Sequence, residues 1–291
     1  MARRARSRDA RLIGMLQRAR PKTSWLLTAL ILSMGAVLLL PLGRWLAGEW
    51  WSNDYYSHGV IVPLVSGFFA WRILPRLDRT PDNRGLILVG LGTAAYLYFL
   101  AYRAFHLAAL AMIVMLAGAA WTYWGWSGLK KLVFPLAFLI FMVPFPFVEA
   151  SSLPLSLFTG QLATRLMQAL GMDVTVQGAA VSLPNANLVV GAQCSGVRSI
   201  ISLAALTAVF AYVVEGSWPR KLILFLAVIP IAVLGNLFRV SSLLWVANRW
   251  GADAGFTYYH DYSGFAFFAF SFILLILTAR LLGCNRIRND L

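Results

Sequence analysis

The sequence predicts an all-α polytopic membrane protein, and three observations carry that prediction. Of 291 residues, 60% are hydrophobic and 12% charged, whereas soluble domains run at about 45–50% and about 25%. The apolar residues form runs of about 20, the length at which a helix crosses the hydrocarbon core. Lysine and arginine crowd alternate connections between those runs, the pattern by which positive loops stay on the cytoplasmic side. The formal charge of +14 raises nucleic acid as a partner. The cations separate apolar runs instead of lining one face, so no nucleic acid is expected.

Eight spans are predicted, near 25–47, 59–75, 85–102, 105–124, 131–147, 195–214, 221–246 and 261–282. The first is too long for a signal-peptide core and no small-residue cleavage site follows it, so it is expected to remain as a helix. Pro41 and Arg44 near its end predict an early finish or a kink there. Nineteen of the 25 Lys and Arg fall on one side, from the cluster Arg3 to Lys22 through Arg72, Arg76, Lys130, Lys131, Arg220 and Lys221 to Arg288. Both termini are therefore predicted cytoplasmic, in the cell inner (plasma) membrane. A basic segment over 1–24, a single membrane domain over 25–283 and a short tail over 284–291 describe the organisation.

This orientation places 48–59, 148–193 and 248–264 on the external face, the periplasmic side. The first half of 148–193 spaces Leu153, Leu157, Leu162, Leu166 and Leu170 at roughly helical intervals among polar residues, which predicts an external amphipathic helix. The second half is rich in valine around a Pro-Asn turn and predicts a short β-hairpin before the sixth span. That hairpin leads into "QCSGVRSIISL" at 193–203. Cys194 is external and Cys284 cytoplasmic, so the two cannot pair, and an external unpaired thiol points to reactivity.

The polar residues of the last three spans are costly to bury and therefore informative. Cys194 and Arg198 are four apart, the spacing of one helix face. Arg239 lies roughly 13 Å inside the seventh span, where an arginine costs about 2.5–3.5 kcal/mol and needs an interior position. Asn236 shares its face. His260 opens the eighth span and is followed by Asp261. A cysteine, a histidine and an arginine at the external ends of three consecutive spans have the makings of nucleophilic catalysis. A neighbouring cation lowers a thiol's pKa, a histidine can take the thiol proton and return it to a leaving amine, and an arginine can stabilise an oxyanion where water is excluded. Taken singly, each has a plainer reading: a packing cysteine, capping histidines at 58 and 260, and an Arg198 that snorkels to the interface. His58 and Asp54, in the loop after the first span, stand between helix capping and contact with substrate.

The ordered runs "CSGVRSIISL", "GNLFRV" and "HDYSG", with "DYYSHGVIVPL" and "LPNANLVV" upstream, closely resemble the exosortase/archaeosortase family over about residues 50–270. The resemblance implies a membrane cysteine protease or transpeptidase. Members are thought to recognise a C-terminal sorting signal made of a short motif, often Pro-Glu-Pro, a transmembrane helix and a basic cluster. They are proposed to cleave at the motif and pass the protein to a surface acceptor. The family's Cys, Arg and His map onto Cys194, Arg239 and His260. Where many members carry an acidic residue before the cysteine motif this chain has Gln193, whose amide is expected to donate to the oxyanion.

The implied partners are substrate proteins bearing that signal, membrane lipids and a surface glycan or lipid acceptor. No cofactor is expected, because no Gly-rich phosphate loop is present and three scattered histidines lack metal-ligand spacing. Two other classes stay open from the residues alone: a transporter or channel with Arg239 and Asn236 as its polar site, and a non-catalytic membrane assembly subunit.

Overall fold

The computed structural model describes residues 23–254 and 259–288, the side chains of 23–32, Gln193, His260 and Asp261 excepted. Almost all of the basic segment expected over 1–24 lies outside these residues. Helix α1 (Thr23–Ser52) carries the boundary between two compact units, residues 1–45 and 46–291. It does not end at Pro41 but continues to Ser52. In an apolar run a helix keeps every other backbone group satisfied, so one missing N–H is the smaller loss.

In the second unit a 3-10 turn, Asp54–Val60, leads into α2 (Ile61–Ile73), followed by α3 (Arg84–Ala101) and α4 (Phe105–Phe138). The fourth and fifth predicted spans fall within α4 and the 3-10 turn Leu139–Met142 that prolongs it. The chain reverses inside α4 at Gly125, which adopts φ 66° and ψ −176°, a conformation that only glycine reaches cheaply. The Thr80 hydroxyl donates to the Trp124 carbonyl at 2.8 Å and the Asp82 N–H to the Thr122 carbonyl at 3.1 Å, so the loop before α3 clasps this reversal. One arm of α4 packs on α3, and the other on α2, where the Ser66 hydroxyl donates to the Pro135 carbonyl at 2.7 Å.

Among the described residues five helical stretches are long and apolar enough to cross a membrane, 54–76, 84–101, 105–142, 218–250 and 262–281. The all-α polytopic class therefore stands, while the count of eight is not reproduced. Two predicted spans share the stretch 105–142, the sixth is the shorter 17-residue helix α6 (Val197–Val213), and the first falls on α1. The predicted seventh span is divided into α7 (Trp218–Leu226) and α8 (Val228–Trp250). Pro230 supplies the reason, since it cannot donate to the carbonyl four residues back, at Leu226.

The amphipathic helix is α5 (Pro146–Ala169), and its inward face differs from the leucine row. Ser152, Ser156, Thr159, Gly160, Ala163 and Thr164 are buried, whereas Leu153 and Leu170 are exposed. Ser152, Ser156 and Thr159 donate to carbonyls of their own helix at 2.7–2.8 Å, which leaves a face small enough for close packing on α8. The expected hairpin is a three-stranded antiparallel sheet, β1 (Thr175–Gln177), β2 (Ala180–Leu183) and β3 (Ala186–Val189). Pro184 and Asn185 make the β2–β3 turn, and the Asn185 amide donates to the Asn248 carbonyl at 3.0 Å. Helix α9 (His260–Leu281) closes the bundle.

Candidate active site

Strand β3 delivers the chain to a 3-10 turn, Ala192–Cys194, that precedes α6. The Cys194 N–H donates to the Gly191 carbonyl at 2.9 Å, and its own carbonyl accepts from the Asn236 side-chain amide at 2.7 Å. The residue is 3% exposed and packs in one cluster with Leu188, Val190, Val240 and Leu244. Gly196 follows at φ 76°, in the left-handed region, and a Cβ there would lie 2.8 Å from Asn236 Cβ and Cγ. Glycine is required at 196 on both counts. The Ser195 hydroxyl accepts from the Val197 N–H at 3.3 Å and begins the helix.

The left-handed residue overturns one expectation. Cys194 is not part of α6, so its four-residue spacing from Arg198 does not set them on one helix face. The Arg198 guanidinium instead donates to the Ser57 hydroxyl at 3.2 Å, on the 3-10 turn 54–60.

Arg239 and Asn236 both belong to α8, three residues apart. Helix α8 runs to Trp250, so Arg239 is eleven residues, about 16 Å, from that end. Its guanidinium passes α9 at Gly264, where a Cβ would lie 3.7–4.0 Å from Nη2, Cζ and Nε. The Tyr259 hydroxyl donates to the Ser242 hydroxyl at 2.7 Å and pins the entry of α9 to α8. His260 is the first residue of α9, one turn before Gly264; the side chains of His260, Asp261 and Gln193 lie outside the described residues.

Burial pushes the Cys194 thiol above its ordinary range, and the Arg239 charge draws it part of the way back. The cation thus acts in the expected direction but is outweighed by desolvation. Desolvation favours the thiol over the thiolate, so attack on a carbonyl calls for a base to remove the proton.

The segment 54–60 lies beside this site. Tyr56 is buried with Val148 and Val197, its hydroxyl accepts from the Phe145 N–H at 2.9 Å, and the Trp50 indole donates to the Met142 carbonyl at 2.9 Å. His58 stacks on Tyr56 at 6.1 Å between centroids, and its two buried ring nitrogens make no hydrogen bond of ordinary geometry, although the Phe141 backbone is close. Arg198 is near enough for its charge to act on His58. Asp54 is exposed at the start of the turn. His58 and Asp54 therefore belong to an element packed on α6, and Ser57 is the contact that sequence reasoning missed. The sequence places 48–59 on the external face, but no spacing rule links Ser57 to Arg198 across 141 positions. Among the described residues no group of three His, Cys, Asp or Glu could hold a metal ion.

The family profile described as transmembrane exosortase matches residues 50–277, most of the chain. The chain belongs to the transmembrane exosortase family. As an exosortase it is a membrane protein of a cysteine transpeptidase family with a general role in protein sorting, acting on proteins that carry a sorting signal. The matched stretch contains Cys194, Arg239 and His260. No curated protein and no solved structure matches the chain.

Proposed function

We propose that this exosortase is a cysteine transpeptidase with Cys194 as nucleophile, Arg239 as oxyanion stabiliser and His260 as general base and acid. The observation that carries the reading is the position of Arg239, whose charge reaches the Cys194 thiol while its guanidinium passes α9 at Gly264, one turn after His260. A substrate's C-terminal helix docks among eight passes of the chain, with both termini cytoplasmic, and presents its motif on the external face of the inner membrane. Pro-Glu-Pro is the motif the family resemblance suggests.

In the first step His260 takes the Cys194 proton and the thiolate sulfur bonds to the scissile carbonyl carbon. The oxyanion is held by Arg239, with the Gln193 amide and the first amides of α6 as further donors. Collapse breaks the C–N bond, His260 protonates the departing amine, and a thioester to Cys194 remains. An acceptor nucleophile or water then attacks the thioester, and the thiolate leaves to be reprotonated. Asn236 holds the Cys194 backbone, while Arg198, His58, Asp54 and Asp261 border the substrate path.

The test is a reporter carrying the motif, a transmembrane helix and a basic cluster, co-expressed with wild type and variants. A hydroxylamine-labile adduct of the reporter at Cys194, found by mass spectrometry in wild type and lost with Cys194→Ala, is the expected result. Continued cleavage by Cys194→Ala would overturn the reading.

A further inference from the structure

The sheet that precedes Cys194 has strand order β1-β2-β3, so β1 and β3 are its edges. The β1 edge is closed: the strand rests against α5, and the Gln168 side-chain amide donates to the Val174 carbonyl at 2.7 Å. The β3 edge is open. The Val190 N–H donates to the Ala179 carbonyl at 2.8 Å, and in the same register Leu188 faces Val181 and Ala186 faces Leu183. Bonding direction alternates along an antiparallel strand, so Asn187 and Val189 turn their N–H and C=O groups away from β2. The Val189 carbonyl accepts from the Gly191 N–H at 3.0 Å. The Asn187 N–H, the Asn187 carbonyl and the Val189 N–H have no partner among the described residues. Proteins usually blunt such an edge with a charge, a proline or a bulge. The four residues Ala186–Val189 contain none of these, and Asn187 and Val189 are exposed.

This edge leads to the nucleophile. Leu188 and Val190 pack in one cluster with Cys194. Asn185, at the start of β3, is bonded to Asn248 of α8, and the Cys194 carbonyl to Asn236 of the same helix. Those two anchors are about 18 Å apart on α8. The chain from Asn185 to Cys194 therefore descends along α8 from its Trp250 end towards the depth of Arg239. A substrate whose membrane helix follows the cleaved bond enters in the same sense, from its external part to its helix, so an extended segment ahead of that bond runs parallel to β3. In a parallel pair a residue donates its N–H to the carbonyl before the residue opposite and accepts from the N–H after it. Around Leu188 those groups are the Asn187 carbonyl and the Val189 N–H, both open.

We propose that the substrate binds as an added strand parallel to β3, with residues on the amino side of the scissile bond paired to Asn187 and Val189 and the scissile carbonyl carried on to Cys194. The proposal rests on the reading of Cys194 as nucleophile. Main-chain pairing of this kind supplies affinity and leaves alternate side chains to be read.

Two measurements with the full chain in proteoliposomes test it. In a Cys194→Ala background, Asn187→Cys and Val189→Cys, both at exposed positions, are oxidised with reporters that carry single cysteines at successive positions before the scissile bond. Both are expected to cross-link, the Val189→Cys maximum lying about two residues nearer the scissile bond than the Asn187→Cys maximum. No cross-links, or the reverse order, would overturn the proposal. With the wild-type chain, reporters in which one amide before the scissile bond is replaced by an ester are compared for cleavage. The ester that removes the N–H paired to the Asn187 carbonyl is expected to lower cleavage about fivefold, and the ester one residue earlier less than about twofold; a flat profile would count against the pairing. Cross-linking needs no catalysis, so the two readings fail separately: cleavage by Cys194→Ala tells against the nucleophile, and absent or reversed cross-links against the strand.

Discussion

The two ends of α6 use polar residues in opposite ways. At the Cys194 end hydrogen bonds hold a backbone, and the group that matters is a buried thiol, 3% exposed. At the Tyr212 end, about 25 Å away along the 17-residue α6, a fixed backbone holds the charged heads of Arg72, Arg76, Lys130, Lys131 and Arg288 around an open cavity. Precise chemistry needs a desolvated group in one position, whereas charged heads at an open cavity stay hydrated and tolerate mobile side chains. Substitutions at the first end should therefore change rates and stability steeply, and those of exposed charges at the second end should change either only slightly.

The largest effect is expected from Cys194→Ala, which should reduce reporter cleavage by at least about 10⁴-fold; anything milder would remove the contrast. Arg239→Gln is expected to cost about 10²–10³-fold in the same assay. The same variant removes the influence that holds the thiol down. In wild type, alkylation of Cys194 by a small methanethiosulfonate should rise with pH to a midpoint above that of a free thiol, because the raised group loses its proton only there. Arg239→Gln should move this midpoint higher still, and a downward move would contradict the assigned role.

Stability effects come next. Gly196→Ala places a Cβ at positive φ and against Asn236, and should destabilise by about 2–4 kcal/mol, read from the unfolding midpoint. Asn236→Ala leaves the buried Cys194 carbonyl without its donor and should cost about 1–3 kcal/mol. The two act on one contact, so the double variant should lose less than the sum. The smallest effect is expected from Lys130→Gln, about 25 Å away, which should change Cys194 alkylation less than twofold.

Much of this comparison was legible in the sequence, and the limits were physical. Apolar runs and alternating cations revealed a polytopic membrane protein, because bilayer thickness imposes itself on composition. The count of eight is not reproduced among the described residues, because the fourth and fifth predicted spans share the continuous apolar stretch 105–142 and the sixth is a helix of only 17 residues. The leucine row of α5 was visible, but its packing face is made of Ser, Thr, Gly and Ala, since in lipid the large apolar side chains can face outward. At the site, the depth of Arg239 singled it out in advance. The four-residue spacing of Cys194 and Arg198 misled, because a left-handed glycine between them cancels helical periodicity. The raised thiol was hidden for a related reason: sequence shows the charge of Arg239 but not the burial of Cys194.

Gly196 also decides to which part of the scaffold the nucleophile is fastened. The left-handed link uncouples Cys194 from the helix that follows it, while Asn236 clamps its carbonyl to α8, the helix that also bears Arg239. The thiol and the guanidinium thus share one rigid mount. If an incoming transmembrane segment levers α6 aside, the hinge absorbs the tilt and the two groups keep their alignment.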